Sequence, residues 1–134
     1  MICGICGIVM AGGAYVPIDP KYPEDRIQYI LEDAQPKAVI TFKDETRKGF
    51  DLIKLSDEFF EEKEKAKLTI ENEPDDLIYA IYTSGTTGKP KGSLIAHKSV
   101  IRLVKNTNYV EWNEDTVVLQ TGSISFDAST MEIW

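Results

Sequence analysis

Two shortages set the first limits on this chain. Its 134 residues hold one histidine and two cysteines, too few donors for a metal centre of several imidazoles or thiolates and too few thiols for a disulfide framework. Positive charge is also short. Fifteen Lys and Arg stand against 22 Asp and Glu, a formal net charge of -7, so a basic face that grips nucleic acid is not expected. Long apolar runs are missing too. The uncharged stretch Met1 to Met10, followed by Ala11-Gly12-Gly13-Ala14, lacks the positive flank of a secretory signal and is too short to span a bilayer. There is no repeat and no low-complexity tract. What these absences leave is one modest domain's worth of globular sequence, 43% hydrophobic, with a cysteine usage that fits a reducing, cytoplasmic setting.

The order of apolar and polar residues then predicts the elements. Met1 to Met10 reads as a buried helix that Gly12 and Gly13 terminate. Cys3 and Cys6 have a C-x-x-C spacing, but no strand precedes them, and on a buried helix they read as small hydrophobes rather than a redox pair. Ala14 to Pro20 is extended, since Pro17 and Pro20 forbid helix. Pro23, beside Glu24 and Asp25, stands where a first helical turn would begin. Ile27, Ile30, Leu31 and Ala34 recur at helical spacing as far as Pro36. Lys37 to Phe42 is a strand. This alternation of helix and strand predicts an α/β fold with sheet strands flanked by crossover helices.

From Lys43 to Asp76 charges of both signs alternate, which reads as a solvated region with a strand at Phe50 to Leu55 and a short helix near Glu58 to Lys67. Asn72 to Asp76 is a turn. Further on, Ser93 to Ala96 is expected as a strand ending at His97, a structural histidine. Ser99 is expected to cap a helix with Val100, Leu103, Val104 and Thr107 on its apolar face. Another strand is expected at Thr116 to Leu119.

Two stretches carry chemistry. The apolar run Leu77 to Tyr82 feeds directly into Thr83-Ser84-Gly85-Thr86-Thr87-Gly88-Lys89-Pro90-Lys91-Gly92. Glycines let backbone N–H groups turn toward an anion, hydroxyls add donors and the lysines add charge, a combination suited to a phosphate chain. It is not the Walker pattern, because Gly85 and Gly88 stand too close together and proline follows Lys89. A plain Gly/Thr surface turn accounts for the same composition. The other stretch is Ser125-Phe126-Asp127-Ala128-Ser129. By itself Asp127 suits a helix N-cap, a far commoner use of aspartate than an acidic site.

Resemblance separates these readings. Tyr82 to Gly92 fits Y-T-S-G-T-T-G-x-P-K-G at eleven consecutive positions and resembles the signature phosphate loop of the adenylate-forming ligases. The block GGAYVPIDPKYPEDRIQYILEDAQPKAVIT resembles an upstream core motif of the amino-acid-activating branch, the adenylation domains of nonribosomal peptide synthetases. F-D-x-S at Phe126 to Ser129 matches that branch as well. Met10 and Ser93 depart from the family, which commonly has lysine and valine there.

The resemblance implies that Thr83, Ser84, Gly85, Thr86, Thr87, Gly88 and Lys91 hold the ATP phosphates. It implies that Asp127 pairs with the substrate's α-ammonium group and that His97 braces the loop. A carboxylate in a partly desolvated pocket favours a cationic partner over a neutral one, so Asp127 would separate amino acids from fatty or aryl acids. The reaction implied is attack of an amino-acid carboxylate on ATP with Mg²⁺, release of pyrophosphate, and transfer of the aminoacyl group to the phosphopantetheine thiol of a carrier protein.

The expected extent is residues 1–134 of a partial adenylation domain, an interior slice of the large N-terminal domain with no complete second domain. The adenine-binding N-x-Y-G-P-T-E motif, the ribose aspartate and the lid lysine of the family do not occur in this sequence, so no catalytic residue is assigned. The alternatives are a fragment of an acyl- or aryl-acid ligase and a non-catalytic nucleotide-binding remnant.

Overall fold

A computed structural model describes residues 1–43, 47, 49–60, 69, 72–84 and 88–134. Helix α1, Ile2–Met10, ends as the paired glycines require. The Gly13 N–H donates to the Ile8 carbonyl at 2.9 Å and the Gly12 N–H to the Val9 carbonyl at 3.0 Å, with Gly12 at φ 77. This left-handed closure satisfies carbonyls that the helix itself leaves free. The helix is not buried as expected. Only Ile5 is fully covered, Ile8 and Val9 pack partly against the core, and Met1, Ile2 and Met10 are exposed. An apolar helix lying on one side of a core can turn only one stripe inward.

The extended segment after α1 joins the sheet through Tyr15. Its N–H donates to the Ile78 carbonyl and its carbonyl accepts the Ala80 N–H, both at 3.0 Å, a parallel bridge to Tyr79. Helix α2, Glu24–Ala34, buries Ile27, Ile30 and Leu31 on the face that the spacing predicts. Pro23 caps it in extended conformation rather than forming its first turn. Gln35, left-handed at φ 46, and then Pro36 stop it.

Strands β1, Val39–Thr41, and β2, Leu52–Lys54, pair in parallel, with Val39 opposite Leu52. A 3₁₀ turn, Asp57–Phe60, opens the region where a helix to Lys67 is expected, and positions 61–68 lie outside the described residues. Strand β3, Leu77–Thr83, runs antiparallel to β4, Lys91–Ala96, with Tyr82 opposite Gly92 and Thr83 opposite Lys91. β3 is covered on both faces. Ile78, Tyr79, Ile81 and Tyr82 are all buried, which explains its unbroken apolar run. Ile5, Tyr15, Ile78, Tyr79, Ile81 and Val100 form the central cluster.

Helix α3, His97–Val104, begins two residues before Ser99, and its N-cap is Ala96. Ser99 is therefore not the cap, and Thr107 lies beyond the helix end. Helix α4 is short, Ser129–Ile133. Thr116 to Leu119 is not a strand. Val117 and Leu119 are 92% and 77% exposed, and no described strand runs alongside to complete a ladder. β propensity without a neighbour does not make a strand.

Candidate phosphate loop and carboxylate site

The loop motif occupies the connection between β3 and β4, at the C-terminal end of β3. Its two ends are the last pair of the ladder, Thr83 and Lys91, so the free loop is shorter than the motif. Thr83, Ser84, Gly88, Lys89 and Lys91 are exposed. Gly88 has φ 82, a conformation that glycine adopts without penalty. Gly85, Thr86 and Thr87, the rest of the predicted phosphate contacts, lie outside the described residues.

What fixes the base of this loop was not legible in the motif. Tyr82, 7% exposed, donates its hydroxyl to Asp33 Oδ2 on α2 at 2.6 Å. Burial, then the hydrogen bond and charge of Asp33, push the Tyr82 hydroxyl up to about 12, so it stays a donor at neutral pH. The ring lies against Gly92, where an added Cβ would come within 3.1 Å of Cζ. One turn earlier on α2, Tyr29 has the Lys89 ammonium 6.0 Å from its ring centroid. Both flanks of the loop therefore meet the same face of α2.

His97 sits where the sequence places it, at the end of β4, and its Nε2 lies 3.2 Å from Asn72 Nδ2. The Asn72 amide also donates to the Val9 carbonyl at 3.1 Å, so the imidazole takes part in joining α1 to the β4–α3 corner. This is a structural contact, but it lies at the end of β4 away from the loop, whose base is the Thr83–Lys91 pair, and not beside the loop as the resemblance implies. Cys3 and Cys6 are both free thiols. No group of three or more His, Cys, Asp or Glu that could hold a metal ion occurs among the described residues.

Asp127 stands in the turn before α4. It is exposed, and its carboxylate accepts no hydrogen bond from the described residues. The N-cap position belongs to Ala128, without a side-chain cap, so the capping role that the residues alone favour is not the one adopted. The turn is held by backbone and hydroxyl bonds. Phe126 N–H donates to the Ser123 carbonyl at 2.9 Å and Thr130 N–H to the Asp127 carbonyl at 3.0 Å, while the Ser129 hydroxyl donates to the Phe126 carbonyl at 2.7 Å. Helix α4 is then tied to the core by a buried 2.8 Å contact between the Thr130 and Tyr79 hydroxyls and by the Trp134 indole N–H donating to Tyr15 Oη at 3.2 Å. A cleft of about 300 Å³ is lined by Val104, Trp112, Val118 and Met131 to Trp134. It includes neither Asp127 nor any loop residue.

A family model described as AMP-binding enzyme matches residues 1–134. The chain belongs to this family. Gramicidin S synthase 2 of Brevibacillus brevis is 45% identical to this chain over 137 residues, 100% of the chain but 3% of that protein. The N-terminal subdomain of Klebsiella oxytoca NpsA, in complex with 3-hydroxyanthranilyl-AMSN, superposes with a TM-score of 0.80 at 28% identity, covering 97% of this chain and 33% of that one. NpsA-ThdA, an artificially fused adenylation–PCP di-domain from Klebsiella oxytoca, superposes with a TM-score of 0.82 at 28% identity over 98% of this chain and 27% of its own. The chain thus matches part of the N-terminal subdomain of adenylation domains. It spans only a small part of its curated relatives' length.

Proposed function

We propose that residues 1–134 are part of an adenylation domain that activates an amino acid as its aminoacyl-adenylate, with release of pyrophosphate and transfer to a carrier-protein phosphopantetheine thiol. The observation that carries this reading is the presence in one chain of an exposed glycine- and hydroxyl-rich loop at the end of a buried strand and of an exposed carboxylate that accepts no hydrogen bond from the described residues. Thr83, Ser84, Gly88 and Lys91 present donors and positive charge suited to the phosphates of ATP, and Gly85, Thr86 and Thr87 complete that motif. Mg²⁺ would be bound with the phosphates, offsetting charge that develops at the α-phosphorus. Asp127 would receive the α-ammonium group. The partner is a carrier domain of a modular synthetase, as in the fused relative, in a cytoplasmic setting. No described helix is long and apolar enough to cross a membrane.

A second reading has one observation in its favour. NpsA's subdomain is in complex with 3-hydroxybenzoyl-AMSN in another structure, and a benzoyl group carries no ammonium. An aryl-acid substrate would leave Asp127 without a cationic partner, and so the amino-acid reading is preferred.

Binding and catalysis test this reading separately. Pyrophosphate added to the 134-residue protein should bind weakly, and Lys91→Ala should weaken that binding further. Amino-acid-dependent pyrophosphate exchange should be undetectable, because these residues supply nothing to position the α-phosphorus against a carboxylate, and positioning contributes about 7–11 kcal/mol in complete sites. In an adenylation domain containing this sequence, Asp127→Ala should abolish amino-acid activation. Unchanged activation in that variant would overturn the ammonium role of Asp127, and robust exchange by residues 1–134 alone would overturn the account that these residues lack the groups for catalysis.

A further inference from the structure

The turn that carries Asp127 is held from the far end of the chain by a line of side-chain hydroxyls. Asp19 accepts the Lys21 N–H at 2.9 Å on one carboxylate oxygen and the Ser123 hydroxyl at 3.0 Å on the other. Ser123 Oγ lies 2.8 Å from Ser125 Oγ, and Ser125 Oγ lies 2.9 Å from the Tyr22 hydroxyl. Proton counting gives this line one direction. The Lys21 amide, and then the Ser123 hydroxyl, hold the Asp19 carboxyl below its ordinary range, so at neutral pH it can only accept. Ser123 spends its one proton on Asp19 and must accept from Ser125. Ser125 spends its proton on Ser123 and must accept from Tyr22. The Arg26 guanidinium, 4.1 Å above the Tyr22 ring centroid, fixes the ring that supplies the first proton. Ser125 is only 4% exposed, so water has little access to replace a lost partner there, and bonds aligned in one direction polarise one another.

The geometry points to Asp19, Tyr22, Ser123 and Ser125 as positioning residues that set the Asp127 carboxylate through its turn, so that substrate-ammonium recognition depends on a segment more than a hundred positions away in sequence. This rests on the ammonium reading of Asp127 for its functional half only. None of the four is assigned contact with substrate. Ser123 and Ser125 lie on the entry side of the turn, the Ser123 carbonyl takes the Phe126 N–H, and Asp127 follows directly. Releasing the hydroxyl line frees the entry side while leaving the Tyr79–Thr130 contact on the exit side intact.

Hydrogen exchange on the 134-residue protein tests the structural half without a ligand. Tyr22→Phe removes one hydroxyl and keeps the ring under Arg26. It should speed exchange at the Phe126, Ser129 and Thr130 amides by about tenfold, the population change expected for one buried hydrogen bond, with the Ile78 and Ala80 amides unchanged. Ser125→Ala should do the same, and Ser123→Thr, which keeps its hydroxyl, should exchange like the wild type. Acceleration spread equally over the core, or none at the three turn amides, would overturn the proposal. Titration with methylammonium chloride, following the Asp127 amide by NMR against a sodium chloride control, tests the functional half. The wild type should respond, Asp127→Asn should not, and Tyr22→Phe should respond several-fold more weakly. Equal response in wild type and Tyr22→Phe would refute positioning. A silent wild type would instead remove the ammonium reading and leave the exchange result to decide the hydroxyl line by itself.

Discussion

Tyr82→Phe should destabilise the protein at neutral pH and stabilise it at alkaline pH. The 2.6 Å bond to Asp33 joins a neutral donor to a carboxylate, a class worth about 1.5–3 kcal/mol net. Asp33 is exposed and water can take the vacated place, so the low end applies, about 1.5 kcal/mol. Phenylalanine fills the same ring volume and leaves no cavity. The pH dependence comes from the wild type. Its Tyr82 hydroxyl titrates at about 12 in the folded protein against 10.0 for a free tyrosine. The neutral form is therefore favoured by folding, and the stability tied to it is complete below pH 10 and is lost as pH rises from 10 through 12. Two units correspond to about 3 kcal/mol in all. The variant has no such loss. Urea unfolding of both proteins across this range should show the wild type ahead at pH 7 and the two curves crossing near pH ~11, where the loss of about 1.4 kcal/mol per pH unit has cancelled the bond. The difference between the proteins removes losses that they share, including the raised titration of Tyr15. A constant difference from pH 7 to pH 12 would show that the hydroxyl is not held by burial and Asp33, and the argument for a fixed loop base would fail with it.

Gly92→Ala should cost about 1 kcal/mol in urea unfolding. Its Cβ would meet the Tyr82 ring at 3.1 and 3.3 Å, and the ring must give by a few tenths of an ångström against its bond to Asp33. That crowding costs about 1–3 kcal/mol, which the loss of a strand glycine offsets by about 0.5–1 kcal/mol. Thr130→Val keeps the shape and removes the partner of the Tyr79 hydroxyl, so it should cost about 1–3 kcal/mol and loosen α4 in hydrogen exchange before the core. A dye that reports exposed apolar surface should bind the native protein, because Leu94, Val117, Leu119 and Phe126 are each more than 60% exposed, and absence of binding would contradict that surface.

The sequence made the local features readable. Helical spacing in Ile27, Ile30 and Leu31, the unbroken apolar run of β3, and the glycine pair after α1 each use information contained in a few adjacent residues, and each element stands within a residue or two of its expected place. The α/β class followed from their alternation, and the two chemical motifs were visible as contiguous strings. Misreadings arose where the outcome depended on distant partners. Thr116 to Leu119 has the residues of a strand and no neighbour, and Ser99 has the residue type of a cap but lies inside a helix that starts at His97. Tyr82 with Asp33, and Asp19 with Ser123, are separated by 49 and 104 positions. A tyrosine ending an apolar run and an aspartate on the polar side of a helix carry no local mark of belonging together.

The same distant contacts bear on which carboxylate is left for a ligand. Four acids frame the two motifs: Asp19, Asp33, Asp127 and Glu132. Asp19 is occupied by the Lys21 amide and the Ser123 hydroxyl. Asp33 is occupied by Tyr82. Glu132 accepts the amides of Thr121 and Gly122 and the Thr121 hydroxyl. Each of these three would have to give up a protein donor before it could hold a cation, at the cost of a charge-assisted bond. Asp127 has no such donor among the described residues, and its turn is fixed on both sides, by the hydroxyl line at its entry and by Thr130 on Tyr79 at its exit. A carboxylate on a held turn, with no protein donor to give up, loses little on meeting a cationic ligand. On the reading proposed above, it would therefore take an ammonium group in preference to a neutral substituent of similar size. That contrast with its three satisfied neighbours, more than the identity of the residue, is what makes Asp127 the candidate substrate contact.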